Sequence, residues 1–97
     1  MSTVKSAGKV LKVLKALRGH SLTGVSNQDL AKQLDESPSQ IHRALQTLVA
    51  EGMAYQNENG LFTLGTAVVQ IAKAHDNEME RAKARIAEIE QRTRVAY

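Results

Sequence analysis

Leu34-Asp35-Glu36-Ser37-Pro38-Ser39-Gln40-Ile41-His42-Arg43-Ala44-Leu45-Gln46-Thr47-Leu48 (residues 34–48) is the stretch on which the fold turns. Ser37 reads as an N-cap, its hydroxyl accepting from a first-turn amide that has no partner inside the helix. Pro38 takes the first helical position, where a missing N–H costs nothing, and Gln40 occupies the capping-box position. Ile41, Ala44, Leu45, Leu48 and Val49 then recur at helical spacing and predict one buried stripe on a helix over Pro38 to Glu51. Gly52 supplies a left-handed stop. The other face displays Ser39, Gln40, His42, Arg43, Gln46 and Thr47 and carries no acid. A face that only solvates a helix usually mixes both signs, so this one points to a polyanionic partner.

Upstream of this helix lies a shorter one. Ser26 caps it, Asp29 sits three positions on, and Leu30, Ala31 and Leu34 form its buried stripe before Asp35-Glu36 ends it. The connector Leu34-Asp35-Glu36-Ser37 is short enough to set the two helices at a steep angle. A first helix is predicted over Lys5 to Leu17, with Ala7, Val10, Leu11, Leu14 and Leu17 inward and lysines outward. Arg18-Gly19 stops it, and Gly19 to Val25 reads as a loop. Lys5, Lys9, Lys12, Lys15 and Arg18 precede the first acid of the chain, Asp29, so the N-terminal helix creates a field of one sign. That pattern suits either phosphate contact or plain solvation.

Downstream, the period changes from helix to strand. Asn59-Gly60 is a strong hairpin signal, because both central positions of a type I′ turn need positive φ. With those two residues as the loop, Tyr55 pairs with Leu64 and Asn57 with Phe62. Met53, Tyr55, Phe62 and Leu64 then share the buried face of a two-stranded wing. From Thr66 to about Arg92 a helix runs without Gly or Pro, and Thr93 to Tyr97 trails off. Ala72, His75, Met79, Ala82, Ile86 and Ile89 follow the alternating three-and-four spacing of a helix–helix seam, a candidate dimerisation surface.

The totals are consistent with one small folded unit. The chain has 97 residues, 42% of them apolar, and a formal net charge of +3. There is no cysteine, which excludes disulfides and thiolate metal sites. His20, His42 and His75 are widely spaced, so no metal or other cofactor is expected. No apolar run approaches the roughly 20 residues that span a bilayer, and the lysine-bearing N-terminus lacks a signal-peptide pattern, so the expected location is cytoplasmic. No nucleophile–base pair, phosphate loop or carboxylate pair suggests catalysis. The expectation is a DNA-binding protein and not an enzyme.

The fold class expected is mainly α with a small β-hairpin: a winged helix-turn-helix (three-helix core, two-stranded wing) over residues 1–65, then a long linker or dimerisation helix over residues 66–97. Its third helix is the element that enters a major groove with its N-terminal residues at base edges. In detail the chain resembles the N-terminal DNA-binding domain of the IclR family of bacterial transcription regulators. Val4-Lys5-Ser6 before a Val/Leu-rich helix is similar to that family's start. The stretch Ser37 to Leu48, with its His42-Arg43 pair, resembles its recognition helix, and Gly52 followed by Phe62-Thr63-Leu64-Gly65 resembles its wing. The long helix after Gly65 resembles its linker helix.

The resemblance implies a sequence-specific transcription regulator, expected to repress, acting as a homodimer on double-stranded DNA. Members of the family continue into an effector-binding domain, so a small-molecule effector is expected only if such a C-terminal domain is missing from this chain. The wing tip Asn57-Glu58-Asn59-Gly60 departs from a phosphate-gripping wing in having no Lys or Arg. The candidate DNA-binding residues are Asn27, Gln28, Ser39, Gln40, His42, Arg43, Gln46 and Thr47, with Lys5 and Lys9 adding nonspecific affinity. Arg43 suits guanine or a phosphate, while Gln40 and Gln46 suit adenine unless Gln40 is consumed by its cap. The competing reading is a winged-helix protein-interaction module without direct DNA binding.

Overall fold

The computed structural model describes residues 2–95; Met1, Ala96 and Tyr97 lie outside the described residues. The element order is α1 (Lys5–Ala16), α2 (Asn27–Leu34), α3 (Pro38–Ala50), β1 (Ala54–Gln56), β2 (Phe62–Leu64) and α4 (Thr66–Val95). Among the described residues no helix is long and apolar enough to cross a membrane. Helix α4 runs on to Val95, so the expected trailing end from Thr93 is helical as far as it is described.

The helix ends follow local chemistry. Ser26 and Ser37 accept from the amides of Asp29 and Gln40 at 3.0 and 3.2 Å, and Pro38 stands in the first turn of α3. At the end of α2, Asp35 adopts a left-handed conformation with φ of 54°. Its successor Glu36 donates to the Ala31 carbonyl at 3.0 Å, closing a Schellman turn. Aspartate is one of the few non-glycine residues that visits this region at modest cost, which is why the turn forms without glycine. Helix α3 closes the same way at Gly52, whose φ is 74°, with Met53 donating to Leu48 at 2.8 Å.

The core gathers Val13, Leu17, Val25, Leu30, Ala31, Ile41, Ala44, Leu45, Leu48, Ala54 and Phe62. On α3 the expected stripe is buried except for Val49, which stays exposed. On α1 the inward face is Val10, Val13, Leu14 and Leu17, whereas Ala7 and Leu11 are exposed. Residues 10, 11, 13 and 14 are all apolar, so periodicity alone admits two overlapping stripes. The packing of α1 on α3 selects the one that contains Val13.

The hairpin corrects the expected register by one residue. Ala54 pairs with Leu64, Tyr55 with Thr63 and Gln56 with Phe62. Ala54 is therefore buried, and Tyr55, expected inside, points out at 60% exposure. The cause is the turn. The Asn57 side-chain oxygen accepts from the amides of Asn59 and Leu61 at 2.9 and 3.0 Å, so it organises the loop from within. Only Gly60 takes positive φ, at 79°; Asn59 does not, so a three-residue loop replaces the two-residue type I′ turn. Val25, expected in a loop, exchanges two 2.9 Å backbone hydrogen bonds with Phe62 and anchors the wing to the helices.

Gly65 ties the wing to α4. Its amide donates to Met53 at 2.9 Å, and a Cβ placed there would stand 2.2 Å from the Gly52 carbonyl oxygen. That obstacle is backbone and cannot rotate away. Gly65→Ala is therefore expected to destabilise the fold by about 2–3 kcal/mol or more. Gly60→Ala, which meets positive φ and only an ordinary contact with the Gln56 side chain, should cost about 1 kcal/mol. Urea unfolding of the two variants beside the wild type checks the ordering, and equal losses would refute it.

Candidate nucleic-acid interface

Burying Ile41, Ala44, Leu45 and Leu48 decides which side of α3 faces solvent. Ser39, Gln40, His42, Arg43, Gln46 and Thr47 are all exposed. Helical spacing places Ser39, Arg43 and Gln46 opposite the buried stripe. Gln40 and Thr47 lie on the flank toward α1, and His42 lies on the other flank. An open groove between α1 and α3 is lined by Lys5, Ser6, Lys9, Gln40, Arg43 and Thr47. The structure thus brings Lys5 and Lys9 to the edge of the α3 face; in the sequence they stand more than 30 positions away from Gln40.

The side chains differ in how far they are already engaged. Arg43 makes no ion pair among the described residues, so its guanidinium remains available for a bidentate acceptor. The Thr47 hydroxyl donates to the Arg43 carbonyl at 3.0 Å and keeps only its acceptor capacity outward. The Ser37 and Ser39 hydroxyls lie 3.3 Å apart. Gln40 does not close a capping box with its side chain; its amide oxygen accepts from Lys9 Nζ at 3.2 Å. Lys9 also stands 3.9 Å from a Glu36 carboxylate oxygen.

Asn27 is not a freely presented side chain. Its amide nitrogen donates to the Pro38 carbonyl at 3.1 Å, and its amide oxygen is buried without a partner among the described residues. This bond sets the N-terminus of α2 beside that of α3. The backbone amides of Asn27, Gln28 and Ser39 have no intrachain acceptor among the described residues, because the capping serines serve Asp29 and Gln40. Two helix N-termini side by side present free N–H groups and the positive ends of both dipoles. Gln28 is exposed next to them.

Sequence reading did not single out two members of this surface, Ser6 and Glu36. Ser6 sits among lysines on a helix face that only folding turns toward α3. Glu36 reads as a turn residue, and nothing in its spacing signals the lysine it meets.

The candidate dimerisation residues stand apart from this surface. Ala72, His75, Met79, Ala82, Ile86 and Ile89 are all exposed along α4, as is every residue from Val69 to Arg94. Ile71, 62% exposed and off the expected seam, adds to the unpartnered apolar surface. Among the described residues, His20, His42 and His75 join no group of His, Asp or Glu that could hold a metal ion.

Against known proteins, the chain matches the model of the IclR helix-turn-helix domain over residues 6–58, more than half its length. No curated protein sequence matches it. Among solved structures it is similar to Pseudomonas aeruginosa HmgR, with 31% identity and a TM-score of 0.70 over 79% of this chain and 33% of that one. It also shares the fold of an IclR transcriptional regulator from Alicyclobacillus acidocaldarius, with 24% identity and a TM-score of 0.67 over 75% of this chain and 30% of that one. The chain thus spans about a third of the length of these solved proteins. With the helix order, the wing and the family match in agreement, the chain belongs to the IclR helix-turn-helix family, the DNA-binding domain of a class of transcription regulators.

Proposed function

We propose that this chain binds double-stranded DNA sequence-specifically and regulates transcription as a repressor, with α3 laid in a major groove. The observation that carries the reading is the exposed, acid-free face of α3 bordered by Lys5 and Lys9 of α1. Base edges in that groove present a distinct pattern of donors and acceptors for each pair. Arg43 stands at the middle of the face, its five donors unspent among the described residues, and is the residue best suited to guanine. Ser39, His42, Gln46 and Thr47 flank it. The free amides of Asn27, Gln28 and Ser39 clamp backbone phosphates, which fixes register without reading sequence. Lys5, which makes no ion pair among the described residues, neutralises a further phosphate. The wing tip, with Glu58 and no cation, contributes no charged grip.

Residues 1–65 form the DNA-binding unit in this reading, and residues 66–97 the linker and dimerisation helix. A 30-residue helix whose residues from Val69 to Arg94 are all exposed does not bury its apolar stripe on the domain. A second copy, joined along Ala72, His75, Met79, Ala82, Ile86 and Ile89, supplies the missing surface. Two-fold pairing then presents two α3 helices to a palindromic site. Effector control enters only through a further domain of the kind that the longer structural relatives have room for.

Three outcomes are expected. Arg43→Ala should weaken binding to the preferred site by about 1–3 kcal/mol and relax preference at one position; equal weakening on every duplex would demote Arg43 to a phosphate contact. Lys5→Ala should leave preference intact and shallow the slope of log affinity against log salt by about 0.9. In sedimentation, the wild type should run as a dimer and Ile86→Asp with Ile89→Asp as a monomer. Monomers in both, with DNA affinity unchanged, would remove α4 from the assembly.

A further inference from the structure

Within the proposed DNA-binding reading, on which this inference rests, we propose that Lys9 is a positioning residue for sequence preference and not a phosphate clamp. It turns the Gln40 oxygen toward itself, so that this glutamine offers DNA chiefly its donor. The observation is a three-residue polar chain across three segments of the fold. Glu36 of the turn lies 3.9 Å from Lys9 Nζ, and Lys9 donates to Gln40 Oε1 at 3.2 Å. Lys9 is half exposed at its side chain and Glu36 about a third, so the chain lies at the rim of the groove, within reach of a docked duplex.

The chemistry settles the orientation of the amide. An ammonium has donors only, so Gln40 must turn its oxygen, and not its nitrogen, toward Lys9. The Nε2 group then faces away and donates to nothing in the chain among the described residues. Gln40 stands three residues into α3, in the turn that reaches base edges when such a helix enters a groove. Free glutamine reads adenine with both ends of its amide, the oxygen accepting from N6 while the nitrogen donates to N7. With that oxygen aimed at Lys9 and one of its two lone pairs spent there, the bidentate pairing is weakened. The remaining donor is matched by the N7 of either purine, by guanine O6 or by thymine O4, so adenine loses its advantage over guanine and thymine.

Glu36 completes the device. A lysine facing a carboxylate is partly neutralised before DNA arrives, so it has little counterion release left to contribute. Lys5 has no such partner among the described residues, and the two lysines, one helical turn apart on the same face, are therefore assigned different work.

The test uses the whole chain in four forms beside the wild type: Lys9→Met, which keeps the apolar stem without the donor, Lys9→Arg, Gln40→Ala, and Lys9→Met with Gln40→Ala. Thermal unfolding by circular dichroism first verifies that each is folded. Selection from random duplexes at one fixed salt concentration then gives the base preference, and salt titration on the selected site gives the slope. Lys9→Met is expected to gain adenine by about fivefold or more at the position Gln40 faces, the lower end of what a good bidentate pair confers. Its salt slope should stay that of the wild type. Lys9→Arg, which retains a donor, should keep the wild-type preference, and the double variant should match Gln40→Ala at that position. An unchanged base profile in Lys9→Met overturns the proposal, and a slope shallower by about 0.9 with uniform weakening assigns Lys9 to a phosphate instead. Failure of the wild type to enrich any sequence at low salt is a separate result, and it defeats the DNA-binding reading itself.

Discussion

The rest of the structure depends on the burial of one stripe of α3. Ile41 and Leu45 are almost wholly removed from solvent, with Ala44 and Leu48 close behind. Each large side chain so buried contributes about 1.5–3 kcal/mol relative to exposure. Rolling α3 about its own axis would bring polar residues inward and expel these, so its rotation is fixed by the core. The polar face is consequently fixed as well. Ser39, Arg43 and Gln46 face out because their neighbours at helical spacing face in, and no separate interaction is needed to present them.

A second constraint is close backbone approach. Gly65 packs against the Gly52 carbonyl with no room for a side chain, and the Ala67 amide donates to that same carbonyl at 3.0 Å. The end of α3, the wing and the start of α4 are thus stitched together within one small region. Beyond it α4 leaves the domain, and its side chains lose the contacts that bury those of the other helices. The domain carries the exposed polar face of α3, while the helix projecting from it keeps an apolar stripe that the domain does not cover.

Charge is arranged unevenly along α1. Its outward face carries five cations and no acid, counting Arg18 just past its end, yet the tertiary structure sets them in different surroundings. Lys9 meets Glu36 and Gln40, whereas Lys5 sits in the groove beside Arg43 without an ion pair among the described residues. Lysines that are indistinguishable in composition and periodicity therefore differ in how far their charge is already engaged, because each one's partners come from segments distant in sequence.

The sequence by itself determined whatever is local. Ser26, Ser37 and Pro38 place two helix starts, Gly52 closes α3, and the absence of Gly and Pro after Gly65 lets one helix run on; each of these acts within a few residues through backbone hydrogen bonding and allowed dihedrals. The stripe of α3 was legible for the same reason, since only one arc of that helix is apolar, and with it the family resemblance and the whole polar face. Where local signals admitted two answers, tertiary structure chose. On α1, too many apolar residues left the inward arc open, and contact with α3 selected Val13 over Leu11. In the wing the overriding signal was itself local: Asn59-Gly60 matched a two-residue turn, yet Asn57 captured two loop amides within four residues and moved the register by one, turning Ala54 inward and Tyr55 outward. The link from Glu36 through Lys9 to Gln40 had no local signal at all. It exists because burial of apolar surface elsewhere brings three segments together, and a lysine then finds the acceptors within its reach.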